Sequence, residues 1–256
     1  LEYYLLDGGG DSDLTSELTA LGHLIKDHVE AHYHDRAASG PVPVRVAAIS
    51  KQMADLPSNA ALHSRLPHLL LDPRTRHVAL RSLIAGVVFT ALDVHTAGDL
   101  SLLPRGVVDF VRTAPTGLTQ EATPHAIKAM NAWRRLSGYL LNANRQERSP
   151  LSPPPEITMQ ISELQSTLEK VLAMFTIDGH SQGPALERLI FRCANLGYAL
   201  FSHPCEWRFL FRREDSTQGS GPVVLLPGLE RLSGPDGEPY RARHVIVQPT
   251  MAQDNM

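Results

Sequence analysis

Cysteine is nearly absent from this chain, with Cys193 and Cys205 the only two. That excludes a disulfide-stapled scaffold and a cysteine-rich zinc module. Cys193 falls on the apolar stripe of a predicted helix ending near Ser202. The helical rise between the two thiols should hold their Cα atoms beyond the roughly 7 Å that a disulfide tolerates. Two reduced thiols in an intracellular protein, cytoplasmic or nuclear, are expected. Aromatic residues are sparse at 6%, and the net charge is only −3, so no global field selects a nucleic acid or an acidic membrane. Lysine is scarce, and an arginine excess of this kind follows from base composition as readily as from function. The longest apolar run, Leu83 to Leu92, is about half of what a helix needs to span a bilayer. No charged-then-apolar leader opens the sequence, which predicts neither a membrane span nor secretion. P-loop, dinucleotide-binding, EF-hand and CxxC motifs are all missing.

The sequence is rich in amphipathic helical segments. Three are expected to open on a proline, at Asp72-Pro73, Thr123-Pro124 and Gly183-Pro184, because the first helical position has no use for its N–H. Leu14, Leu18, Leu21, Ile25, His28 and His32 recur at helical spacing as a single-sided seam. A helix is expected over Val44 to Leu56, then a short turn or helix containing Leu62 and Leu66, then the most apolar helix over 73–93, which should be central. A shorter helix is expected between Pro104 and Pro115. In the helix from Pro124, Ile127, Met130, Trp133, Leu140 and Leu141 are expected to be buried, with Lys128, Arg134 and Arg135 turned outward. Ile157, Ile161, Leu164, Leu168, Val171 or Leu172, and Phe175 form a heptad-like seam. The helix from Pro184 answers with Leu186, Ile190, Cys193, Gly197 and Leu200, small where a neighbour must come close.

The tail changes period. Trp207, Phe209 and Phe211 alternate with Arg208, Leu210 and Arg212, and short apolar pieces at Val223 to Leu226, Leu229 to Leu232 and Val245 to Val247 are punctuated by Gly234-Pro235-Asp236-Gly237. This reads as a small antiparallel sheet with aromatics inward and arginines in solvent, in preference to a nucleic-acid surface. The fold class expected is therefore mainly α: an irregular or orthogonal multi-helix bundle with a small C-terminal antiparallel β element. It forms a single domain over 1–256, with a sub-division into 1–148 and 156–256 at the proline-rich linker 149–155.

Two constellations have a chemical reading. Gly179-His180-Ser181-Gln182-Gly183 fits G-x-S-x-G, the nucleophile elbow of esterases and thioesterases. Asp236 and His244 follow in the order of such a triad, and Asp7-Gly8-Gly9-Gly10 stands where an oxyanion loop could be sought. An elbow needs a buried strand just before the first glycine, whereas Ile157 through Phe175 runs at helical period, so a loop between two helices is the expectation. His28 and His32, one turn apart, have the spacing to share a metal ion, with His63 or His77 as a third ligand, but not the HExxH pattern. Their expected role is to end an amphipathic seam near a helix C-terminus.

Two stretches carry a resemblance. Thr75-Arg76-His77-Val78-Ala79-Leu80-Arg81, leading into Ile84-Ala85-Gly86-Val87-Val88, is one. The other is Ala199-Leu200-Phe201-Ser202-His203-Pro204-Cys205-Glu206-Trp207-Arg208-Phe209. Together they resemble the C-terminal helical regions of uncharacterised proteins of filamentous fungi. The resemblance implies a fungal, intracellular, mainly helical module; it transfers no activity and no site residues. The function expected is a non-enzymatic protein-interaction or regulatory module with a protein partner and no cofactor. The alternatives are a serine hydrolase using Ser181, Asp236 and His244, and a metal-binding helical protein using His28 and His32.

Overall fold

The fold is known from a computed structural model that describes residues 5–36, 41–57, 65–96, 98–114, 124–177, 182–212 and 222–252. Eight α-helices lead into a small β tail among them. In order they are α1 (Asp11–His32), α2 (Val42–Met53), α3 (Leu66–Leu71), α4 (Arg76–Leu92), α5 (Arg105–Thr113), α6 (Pro124–Leu141), α7 (Ile157–Leu172) and α8 (Gly183–Ser202). The strands are β1 (Trp207–Leu210), β2 (Val224–Leu226), β3 (Gly228–Ser233), β4 (Pro239–Val247) and β5 (Thr250–Met251). Strands β1, β3 and β4 form an antiparallel sheet in the order β1-β3-β4, and β2 pairs with β5. Fold class and the β tail are as the sequence predicts.

The seams decide the packing. Leu14, Leu18, Leu21, Ile25, His28 and Val29 are buried on α1, and Ile157, Ile161, Leu164, Leu168, Val171 and Leu172 on α7. Helix α4 is buried on every side from Ser82 to Leu92, as an all-apolar helix at the centre of a bundle must be. It meets α8 at Gly197, where an added Cβ would lie 2.5 Å from Leu92 Cδ2. Core residues from Leu6 to Leu229 form one contiguous cluster. Leu151 of the proline-rich segment belongs to it, and its N–H donates to Ser202 Oγ at 3.0 Å. Cys193 and Cys205 are both buried and free, and burial pushes the Cys193 thiol up to about 12.

Of the three proline starts, α6 begins at Pro124 and α8 at Gly183-Pro184, but α4 begins at Arg76, three residues beyond Pro73. The Asp72 carboxylate accepts the Arg74 N–H at 2.9 Å, and that local bond holds residues 72–75 in a turn before the helix starts. Leu62 lies outside the described residues. Arg76 is fully buried. Its guanidinium donates to Leu70 O (2.8 Å), Leu71 O (3.0 Å), His34 O (3.3 Å) and Arg36 O, so it ties the end of α3 to the segment after α1.

The second half of helix α6 is reversed with respect to the sequence-based expectation. Arg134 and Arg135 are buried at 4% and 6% exposure, while Leu140 and Leu141 are 63% and 49% exposed; Ile127, Met130 and Trp133 are half-buried. The buried stripe is Asn131, Arg134, Arg135, Gly138 and Asn142. Its neighbours explain this. Arg134 donates to Phe201 O (2.5 Å), His203 O (2.7 Å), Pro204 O (3.3 Å) and Cys205 O (3.0 Å), carbonyls at and just past the end of α8 that no helical N–H reaches. Arg135 donates to Pro235 O at 2.9 Å and Asn142 Nδ2 to Ser149 O at 2.7 Å. A Cβ on Gly138 would lie 3.0 Å from Ser202 Cα, so α6 approaches α8 closely on this polar face. Lys128 points outward as expected and pairs with Glu238 at 2.7 Å.

In the tail, Trp207 and Phe209 are buried and Arg208 is exposed, matching the inward-aromatic reading. Arg208 and Arg243 flank the buried Glu230 carboxylate at 2.6 and 2.8 Å. The β3–β4 connection turns on Gly234-Pro235-Asp236-Gly237, where the Gly237 N–H donates to Gly234 O at 2.9 Å. Gly237 has φ +84°, a conformation that glycine adopts without strain.

Candidate functional site

Three places among the described residues bear on the chemical readings of the sequence or expose apolar surface. The first is the ground of the hydrolase alternative. Ser181 lies outside the described residues, as do Gly179 and His180. The chain before them is helical to Leu172 and forms a 3-10 turn over Ala173–Phe175; Thr176 then makes one isolated antiparallel bridge with Tyr33. Winding through Phe175 is what the seam predicts. Asp236 lies in the β3–β4 turn, where its Oδ1 accepts the Glu238 N–H at 3.0 Å. His244, on β4, lies against Tyr240 with centroids 5.2 Å apart and the rings tilted by 43°; no hydrogen bond joins it to Asp236. The Gly8-Gly9-Gly10 run wraps His203: a Cβ on Gly8 would strike its ring at 2.2 Å, and His203 Nε2 donates to Gly9 O at 3.2 Å. Nδ1 of the same ring accepts the Cys205 N–H at 2.9 Å, so this imidazole is a neutral Nε2–H tautomer joining the segment before α1 to the segment after α8.

The second place is the C-terminal half of α1. His28 and His32 have ring centroids 4.8 Å apart, and His28 Nε2 is 3.3 Å from the Tyr33 hydroxyl. Burial, and then the neighbouring His32, lower the His28 pKa from 6.5 to about 4. His32 Nδ1 is buried without a hydrogen-bond partner. His77 is committed elsewhere, with Nε2 2.9 Å from Tyr33 O, and His63 lies outside the described residues. Among the described residues no three His, Cys, Asp or Glu side chains gather as a metal-binding group. The two imidazoles instead line a groove of about 1090 Å³ between α1, α7 and α8.

The third is the outward side of α6. Phe110 of α5 stacks on Trp133 with centroids 4.1 Å apart and an interplanar angle of 24°, and Phe110 itself is exposed. Leu140 and Leu141 at the end of α6 are exposed, whereas Ile127 and Met130 are half-buried and Trp133 packs partly against the core. The sequence reading misplaces Leu140 and Leu141, which are exposed, and Arg134 and Arg135, which are buried. The signal for the correct side was the polar and small series Asn131, Arg134, Gly138 and Asn142, which recurs at the same helical spacing.

No protein-family model, curated protein or solved structure matches this chain. No helix among the described residues is long and apolar enough to cross a membrane.

Proposed function

We propose that this protein is a non-enzymatic interaction module that docks a protein partner on the outward stripe of α6, in an intracellular setting. The observation that carries the reading is the inversion of α6. A helix that buries arginines and leaves leucines in water forgoes apolar burial, and the surface left open, Leu140 and Leu141 with the exposed Phe110 stacked on Trp133, is apolar surface of the kind that partners cover. From Trp133 to Leu141 it extends about 12 Å at 1.5 Å per residue, about two turns of a partner helix. The two free, buried thiols support the intracellular setting. The resemblance to fungal helical regions supports the same class of module.

The test is a capture experiment from cells that make the protein, comparing wild type with the Leu140→Glu, Leu141→Glu double variant. Both side chains are exposed, so the variant should fold. A partner held by wild type and lost from the variant supports the reading. The same partner recovered equally by both, or turnover of a substrate with no partner recovered, overturns it.

A further inference from the structure

The segment before α1 is held by an imidazole that is bonded so that it cannot take up a proton where it stands. His203, just past α8, is buried, with Nε2 donating to Gly9 O at 3.2 Å and Nδ1 accepting the Cys205 N–H at 2.9 Å. A proton on Nδ1 would set two N–H groups against each other. The charges around the ring oppose it as well. Arg134 of α6 and Arg231 of β3 both act on it, Asp11 of α1 is paired with Arg231 at 3.0 Å, and Asp13 is engaged by the Gly10 N–H at 3.2 Å. Among the described residues His203 has no ion pair. Burial first, and then the two guanidiniums, lower its pKa from 6.5 against the opposing pull of Gly9 O.

The ring has no room to turn away from this conflict. It meets Trp207 edge to face with centroids 5.3 Å apart, and a Cβ on Gly8 would lie 2.2 Å from Nε2. A charged ring can therefore shift only if the Gly8-Gly9 backbone shifts with it. That backbone is otherwise held by the Asp7 N–H, which donates to Arg148 O at 2.6 Å, and by the buried Leu6. The end of α8 has its own fastening, because Arg134 binds the carbonyls of Phe201, His203, Pro204 and Cys205 whatever the state of the ring. We infer that residues 5–10 are an acid-released latch: protonation of His203 frees them from the end of α8 and uncovers the seat of Leu6, while the helices stay folded. This device is independent of docking on α6.

The test is amide hydrogen exchange of the full chain at about pH 7.5 and about pH 5, the interval over which histidines charge, with the His203 ring followed by 15N NMR. Below the free-imidazole pKa each pH unit multiplies the released fraction by about ten while the latched ring stays neutral. Protection at the Asp7 amide should then fall by up to about thirtyfold. Dilute urea should not speed that exchange, because the opening is local and exposes little surface. The fall should persist in His28→Gln, which removes the other buried imidazole that titrates in this window, and shrink to less than about threefold in His203→Gln. Wild type alone decides the matter if the His203 variant is already open at neutral pH. Three of its results would overturn the inference: Asp7 protection equal at the two pH values within about twofold, a loss that grows with urea as global unfolding does, or a ring that charges while Asp7 stays protected.

Discussion

A guanidinium whose hydrogen bonds all go to backbone carbonyls is an expensive thing to bury, and Arg134 and Arg76 show how the cost is met. Each is surrounded by backbone carbonyls at the ends of helices, where the peptide dipoles leave partial negative charge and lone pairs without helical donors. Burial still lowers the Arg134 pKa to about 10, far above neutrality, so the charge persists. Replacing Arg134 with Met leaves four carbonyls without their donor and should cost at least about 3 kcal/mol in chemical denaturation. Arg134→Lys should recover little, because a single ammonium cannot span the carbonyls that the planar fork reaches. His28 makes the opposite choice and stays neutral. Its folded pKa of about 4 lies below the unfolded value of 6.5, so the unfolded chain takes up the proton first as pH falls. Its contribution is complete above pH 6.5 and is lost between 6.5 and 4, on the order of 3 kcal/mol in all. Asp27, His32 and Tyr33 lie around it, and urea titrations across that window should show a slope that is reduced in His28→Gln.

At the scale of the element, α1, α7 and α8 were legible because their apolar faces are the faces they bury, and the mean spacing of Leu, Ile and Val is then sufficient to orient them. Gly197 was legible for the same reason: a glycine on a seam marks close approach, and Gly197→Val should destabilise by roughly 1–3 kcal/mol because Leu92 occupies the space the side chain needs. The turn at Gly234-Pro235-Asp236-Gly237 was readable from turn chemistry alone. Helix α6 was not, since its apolar stripe is real but the carbonyls at the end of α8 and in the β3–β4 turn, which draw its arginines inward, are remote in sequence. The groove was illegible on similar grounds, its lining being drawn from three separate helices. Of the candidate site residues, the burial of His28 was foreseen as the continuation of a seam, and Ser181 lies outside the described residues. Leu164→Ala, in a seam that is fully buried, should cost about 2–5 kcal/mol, whereas Leu140→Ala should stay within about 0.5 kcal/mol of wild type.

Across the whole molecule, helix α6 ties the β tail to the bundle by polar contacts, while Phe89 of α4 packs on Phe209 of β1 and joins it through the core. In α6, Arg134 takes the end of α8, Arg135 and Asn131 take the β3–β4 turn, and Lys128 takes Glu238. The first helix closes the other side, with Arg231 of β3 3.0 Å from Asp11. An inward arginine face and an outward pair of leucines are thus two sides of one arrangement, with Leu140 and Leu141 left in water because the polar side of α6 is needed within. Thermal unfolding of two variants decides between this and an ordinary leucine-in packing. With α6 as described, the Leu140→Glu, Leu141→Glu double variant melts within about 2 °C of wild type, while Arg134→Met melts roughly 6–12 °C lower. A double variant that collapses while Arg134→Met stays unchanged would contradict it.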